Sequence, residues 1–532
     1  MKHEYFKKWI QGSEWAIRIA IFLMLLCSLV QFGAFALSQN YVVSYFGAQT
    51  EDVTFALQIT YVGILITLPL QFRFLRYFET RSYLLLAMLA QIFLNVLILN
   101  TQDFILFCVL RFITGIVVCL VAGGMLTLIY SRIKSERMQA LGSSVFYGTV
   151  LSNGVIIGVA MAWVNSEMNW IWIYYFLIGF QLICLLILLL MMKPVSGHKR
   201  YPLYQMDWVS VPLLAAGFCA LAYTLIYGTK YYWFGDDRIL RAVILFIICA
   251  GFFVYRQLTI RRPLFNLSVF KYKNFIIGLI FLALYYGLKD SLNLIYSYTG
   301  VILQWSPIQI IQLGFFNLAG LIGAMWVSSR LILTNRHSTR KFLIIGFGLL
   351  LVYHLYMYYL LTPDLAFTDL ILPVFLQGTA SGMLFVPIIV FTLSSLPAST
   401  GTTGTVIGAC VRFTATLNSV AGFENLQLYF NQHYKVNFLG NLSMVDFTLT
   451  ERVNDYIQLF KGKGFSAEQA NSLAISTVAR LLGVQNQLLT NKSIFLLFSI
   501  VLLVILGAIL LITSFNRTNL HLRKSMFVLT RK

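Results

Sequence analysis

The sequence predicts an all-α protein that crosses a membrane fourteen times, and three observations carry that prediction. Hydrophobic residues make up 59% of the 532-residue chain and charged residues only 11%, where soluble domains carry about 25% charge. The apolar residues are gathered into runs of helix length. A helix rising about 1.5 Å per residue needs about 20 of them to cross roughly 30 Å of hydrocarbon. Lysines and arginines fall between the runs. The net charge of +20 therefore reads as loop chemistry that orients a membrane protein, not as a surface for nucleic acid.

The runs, in order, are 15–37, 53–73, 82–100, 104–130, 140–164, 170–192, 208–228, 239–256, 274–297, 307–332, 341–361, 367–394, 403–430 and 493–514. The first follows Lys2, Lys7 and Lys8 and contains Ala34-Phe35-Ala36, which together imitate a signal peptide. It exceeds the roughly 7–15 apolar residues of a signal sequence and reads as a retained helix. The fourth run carries a single charge, Arg111. An arginine inside a bilayer costs roughly 2.5–3.5 kcal/mol, so it should face protein or water. The fifth run has Gly142, Gly148, Gly154 and Gly158; the last two stand four apart, on one face that admits a close neighbour. The seventh and eighth runs are short and flanked by polar residues. The thirteenth opens on small residues, Gly404 and Gly408 among them. That echo of the fifth fits a fold of repeats about a central cavity.

The loops supply the topology. With the amino terminus in the cytoplasm, every second loop should be basic. Those loops hold Arg73, Arg76 and Arg81; Arg132, Lys134 and Arg137; Lys193, Lys199 and Arg200; Arg256, Arg261, Arg262, Lys271 and Lys273; and Arg330, Arg336, Arg340 and Lys341. The tail adds Arg517, Arg523, Lys524, Arg531 and Lys532, the intervening short loops have little beyond Lys230 and Arg238, and the loop near 395–402 has no basic residue. The alternation places both termini in the cytoplasm. The one long polar segment, 431–492, then lies outside, with a helix expected over 466–482 capped by Ser466. It reads as an extracytoplasmic cap or docking arm.

All seven cysteines lie inside apolar runs with no ligand spacing and read as small buried hydrophobes. No metal or other cofactor is expected. There is no His/Cys cluster, nucleophile elbow, paired-carboxylate spacing or nucleotide-binding glycine loop in the sequence, so an enzyme is not expected either.

A family likeness emerges from several ordered motifs. Arg111-Phe112-Ile113-Thr114-Gly115 matches the R-x-x-x-G signature of the major facilitator superfamily. The stretch from Arg262-Pro263 to Phe275 resembles the link before helix nine in the fourteen-helix drug:proton antiporter branch, the EmrB-like proteins. Phe46-Gly47-Ala48 through Tyr61 is similar to its entry to helix two, and Trp170-Ile171-Trp172 to its opening of helix six. Gly378 through Arg412, with Pro387, Leu396-Pro397, Gly401 and Gly404, resembles its helix twelve to thirteen region. There are departures. The loop Gln71–Arg81 keeps Arg76 and Arg81 of the family's gating motif but lacks its aspartate and glycines. Helix five keeps Gly154 and Gly158 but loses the proline beside them, and Gln31 stands where the branch often has an aspartate.

The resemblance implies two six-helix bundles, within 1–200 and 263–532, flanking a cavity, with a helix pair inserted over 201–262. It implies proton-coupled efflux of amphipathic drugs or organic anions from a bacterial inner membrane, often together with a periplasmic adaptor and an outer-membrane channel. Uptake of a nutrient or organic anion by the same fold is the alternative; a lipid-modifying membrane enzyme or a sensor without transport are more distant ones.

Three ionisable groups are candidates for proton coupling: Asp290, Arg111 and Glu424. Burial pushes a carboxyl group toward titration near physiological pH, and Asp290 is the preferred acid. Tyr286, Asp290 and Asn293 share one helical face, which with Lys289, Arg412 and Gln31 makes up the expected cavity lining. Each has a plain structural alternative: Arg111 bonded to carbonyls, Lys289 paired internally with Asp290, Glu424 in interfacial water. Gly115, Gly154, Gly158, Gly404, Gly408, Arg76 and Arg81 are the expected packing or gating positions. Glu14 and Arg18 form an i,i+4 pair, His354 a hydrogen-bonded packing residue. Most of the 44 Phe, 29 Tyr and 9 Trp are expected to face lipid or its interfaces.

Overall fold

A computed structural model describes residues 5–132, 138–167, 171–195, 202–334, 339–397, 400–441 and 447–511. Among the basic residues named above, Lys2, Lys134, Arg137, Lys199, Arg200, Arg336 and those of the tail lie outside the described residues. The helices are α1 (Glu14–Leu37), α2 (Gln39–Phe46), α3 (Thr50–Tyr77), α4 (Thr80–Leu99), α5 (Phe104–Arg132), α6 (Met138–Glu167), α7 (Trp172–Met191), α8 (Ser210–Tyr227) and α9 (Asp237–Thr259). They continue as α10 (Lys273–Lys289), α11 (Leu292–Val301), α12 (Pro307–Thr334), α13 (Thr339–Leu360), α14 (Phe367–Ser394), α15 (Gly401–Asn441), α16 (Phe447–Gly462) and α17 (Ala467–Leu511). No strand occurs among the described residues. Thirteen helical spans are long and apolar enough to cross a membrane. The remaining expected run falls in α6, whose shorter apolar stretch is Val145–Met161.

Two cores divide the chain. One runs from Tyr5 to Met192 across α1–α7. The other runs from Phe281 to Ile509 across α10–α15 and α17. Backbone bonds between Lys7 N and Met191 O and between Lys193 N and Tyr5 O, both 2.9 Å, tie the start of the first core to its end. The first helix is part of that core, with Met24, Cys27 and Val30 fully buried. Between the cores, α8 packs Ala222 and Ile226 against α3 and against Leu417 and Ala421 of α15. Helix α9 leans on α8 and turns Ile244, Ile247, Phe252 and Leu258 outward, as a lipid-facing helix does.

The closest helix contacts are made through glycine, and they repeat. A Cβ at Gly115 would lie 2.1 Å from Thr60 O, and one at Gly63 would lie 2.3 Å from Phe112 O, so α3 and α5 touch backbone to backbone. Gly378 and Gly382 do the same against Asn317 O and Leu321 O, at 2.0 and 2.4 Å, joining α12 to α14. Matching seams at matching places in the two cores are the structural form of the internal repeat. Helix α6 is different. A Cβ at Gly154 would meet nothing within 4 Å, and Gly158 is buried.

Two corrections follow for the expected elements. The segment 431–492 is not a loop with one short helix. Helix α15 runs 41 residues, α16 follows, and α17 runs 45 residues unbroken into the last span, a length of about 67 Å. Ser466 caps α17 as expected, accepting from Gln469 N at 3.3 Å while Gln469 Oε1 accepts from Ser466 N at 3.2 Å. Continuity was hidden because α17 changes from polar to apolar midway. The second correction concerns helix nine, which breaks between α10 and α11 at Asp290–Ser291. Tyr286 is buried, whereas Asn293, beyond the interruption, is exposed.

Candidate functional site

Between the two cores lies a cavity of about 250 Å³. Its first wall comes from α1, α3, α5 and α6 through Phe32, Tyr61, Gln71, Tyr147 and Asn153 among others; α10 and α15 supply the second through Tyr286, Lys289, Arg412 and Phe413. Most of this lining is apolar. An apolar cluster joins Ile64, Leu68 and Cys119 to Val406, Ile407 and Ala409 on the side of the basic loops. On the opposite side the halves are held by polar bonds: Thr54 Oγ1 donates to Glu424 Oε1 at 3.1 Å, and Gln58 Nε2 donates to Leu417 O at 3.2 Å. Contacts between the halves therefore lie on both sides of the cavity.

The helix break positions the charges. At the interruption between α10 and α11, carbonyls accept from other helices: Gln377 Nε2 reaches Lys289 O at 2.9 Å and Ser419 Oγ reaches Gly287 O at 3.1 Å. Asn317 Nδ2 in turn holds Gln377 Oε1 at 2.6 Å. Carbonyls left open where a helix is interrupted within a membrane need such donors. The end of α10 favours a cation and the start of α11 an anion, and there Lys289 and Asp290 form an ion pair. Asp290 Oδ2 is buried without a hydrogen-bond partner.

Arg412 is 7% exposed. Its guanidinium lies 4.7 Å from the Tyr147 ring centre, 4.4 Å from that of Phe413 and 5.8 Å from that of Tyr286. Its Nη1 has no hydrogen-bond partner. Since Lys289 is neutralised by Asp290, Arg412 is the cation left uncompensated in this lining. Aromatic faces stabilise a partly desolvated guanidinium by roughly 0.5–2 kcal/mol, less than a counter-charge would.

The structure therefore brings Tyr286, Lys289 and Arg412 together in one cavity, with Asp290 beside them. Gln31 and Arg111 are elsewhere, in a separate pocket inside the first core with Ser38, Asn95 and Tyr174. Asn293 is outside both. Glu424 is half-buried midway along α15, where it accepts from Thr54 Oγ1. Gly115 is a packing glycine; Gly404 abuts Leu396, and Gly408 lines a smaller space beside Arg412. Arg81 donates to Leu189 O at 3.2 Å, fixing α4 to α7, and Arg76 ends α3. Sequence reasoning missed Tyr61, Gln71, Tyr147 and Asn153. Gln71 and Asn153, polar groups inside apolar runs, were the available signal; the tyrosines had none. The Glu14–Arg18 pair forms at 3.1 Å, and His354 Nδ1 bonds Leu350 O at 2.7 Å.

The Major Facilitator Superfamily model matches residues 20–421. The chain belongs to that family. It is a multi-pass membrane protein of a transporter family. Among curated relatives, the multidrug export protein EmrB of Escherichia coli K12 is 24% identical over 376 residues, 67% of each chain. The fatty acid resistance protein FarB of Neisseria gonorrhoeae is 27% identical over 309 residues, 56% of this chain and 57% of that one. Among solved structures, a POT family transporter bound to 5-aminolevulinic acid superposes with a TM-score of 0.57 at 12% identity, covering 93% of this chain and 96% of that one. That likeness concerns the fold alone.

Proposed function

We propose that this protein is a proton-coupled exporter of amphipathic organic compounds, with a preference for anions. It would reside in a bacterial inner membrane, with fourteen spans and both termini in the cytoplasm. The family membership and its export-protein relatives support transport and direction. The observation that carries substrate charge is Arg412: a buried cation with a free Nη1, facing an apolar cavity whose other cation is already paired. An amphipathic anion places its charge there and its apolar body against Ile64, Leu68 and Phe72.

The two bundles would rock about this cavity, with contacts on one side or the other released in turn. The proton needs separate reasoning. Protonating Asp290 frees Lys289 and makes the cavity more cationic, so protonation there and anion binding favour each other. That sign couples anion and proton in the same direction. Exchange of an anion for a proton needs an acid away from the anion. Glu424 qualifies: it bridges to Thr54 of the other bundle, and no cation pairs with it among the described residues. Asp290 then sets cavity charge, and Glu424 carries the exchanged proton. The helical arm of α15, α16 and α17 is where a periplasmic adaptor leading to an outer-membrane channel would dock.

A susceptibility panel tests the substrate class. Cells expressing the protein should tolerate anionic amphipaths several-fold better than cells lacking it, with little change for cationic dyes of similar size. Protection against cations alone would contradict the charge assignment.

A further inference from the structure

The pocket around Arg111 belongs to no step of the transport scheme above. Arg111 is 1% exposed, about two turns into α5. Among the described residues no carboxylate pairs with it, and its Nε and Nη2 have no hydrogen-bond partner. Phe35 covers the guanidinium, 4.0 Å from Cζ to the ring centre. Gln31, 2% exposed, lines the same pocket with both amide atoms unpartnered. Ser38 Oγ is committed to Ala34 O at 2.7 Å, and Asn95 Nδ2 to Gln181 Oε1 at 2.9 Å. The space is about 10 Å³, the size of one water-sized occupant.

These facts are out of balance. Buried charges are normally paired, and removing a guanidinium from water without a counter-charge costs several kcal/mol. Here the unmet groups are chiefly donors, Nε and Nη2 of Arg111 and Nε2 of Gln31, on two residues that line one small space. Water there would satisfy a donor or two but leave the charge. A monatomic anion answers both needs, accepting from all three N–H groups and neutralising the guanidinium. Polyatomic anions are too large for the space. We propose that this pocket is a structural anion site, holding a single halide, chloride under cellular conditions, between α1 and α5.

The bound anion fixes α1 against α5 and holds the first core together without entering the cavity. The test uses the full-length protein, purified and exchanged into gluconate at constant ionic strength, with thermal unfolding followed as chloride or bromide replaces gluconate. A saturating rise in Tm with either halide, absent with sulfate, is expected. Arg111→Met should abolish that rise; if it does not fold, Gln31→Met should raise the half-saturating halide concentration about tenfold or more. Arg412→Gln, at the other buried arginine, should leave the response unchanged. Bromide soaks should give an anomalous peak between Arg111 and Gln31. A Tm independent of halide, or a halide response lost in Arg412→Gln but kept in Arg111→Met, would overturn the site.

Discussion

Replacing Arg412 with glutamine removes the uncompensated cation while keeping a polar side chain of similar reach. A carboxylate about 4 Å from the guanidinium gains roughly 4 kcal/mol at an effective dielectric of about 20. Losing the anion's hydration offsets half of that, on the order of 2 kcal/mol. At about 1.4 kcal/mol per tenfold, the half-saturating concentration for an anionic amphipath should rise roughly 30-fold. A neutral amide analogue of the same shape should change less than about threefold, because its apolar contacts are untouched. Arg412→Lys keeps the charge but loses the flat group held near Tyr147 and Phe413, and should fall between. The assay is flux in proteoliposomes across a concentration series of a dansyl-labelled carboxylate and its amide. Equal loss for both compounds, or unchanged anion affinity in correctly folded Arg412→Gln, would refute the argument.

Asp290→Asn should leave Lys289 unpaired and tighten anion binding several-fold, measured as the same half-saturation; weaker anion binding would contradict the assigned charge balance. Glu424→Gln should keep anion counterflow but lose acceleration by a pH gradient, so a surviving pH-driven flux would return the proton to another acid. Asp207, outside the spans, tests stability. Burial tends to raise its pKa, but bonds from Ser210 and from Arg256 at 2.8 Å outweigh that and leave it below the usual carboxylate value. A depressed folded-state pKa contributes stability that is present above the unfolded value, near 3.9, and is lost as pH falls through the folded one. Asp207→Asn should therefore lower stability at neutral pH by roughly 1–3 kcal/mol, discounted for the partly exposed Arg256, and the difference from wild type should shrink in acid. A constant difference down to the lowest pH tolerated would exclude the ionic bond as its source.

Much of the fold was legible because a bilayer demands long apolar runs, and runs are visible in composition alone. Thirteen spans and the helical class follow from that demand. What composition could not reveal was continuity. Helix α17 crosses from solvent to apolar surroundings without a break, and no capping residue marks the passage. Nor could it reveal discontinuity: the break at Asp290–Ser291 has no proline or glycine, and is held by Gln377 and Ser419 from distant helices. The site was read in part. Tyr286, Lys289 and Arg412 stood out as polar or aromatic residues in apolar runs. Arg111 and Gln31 stood out by the same signal yet face a different pocket, since spacing reports a helix face but not the neighbour it meets. The glycine seams lie between α3 and α5 and between α12 and α14, where single glycines such as Gly63 had looked ordinary in sequence.

The central claim is that a proton gradient drives an amphipathic anion out of the cell through the cavity at Arg412. Inside-out membrane vesicles with an acidified lumen test it most directly, with uptake of the dansyl carboxylate followed in time. Accumulation that needs the protein, collapses with a protonophore and weakens in Arg412→Gln is the predicted result. Accumulation only in right-side-out vesicles driven by an inward proton gradient would contradict it.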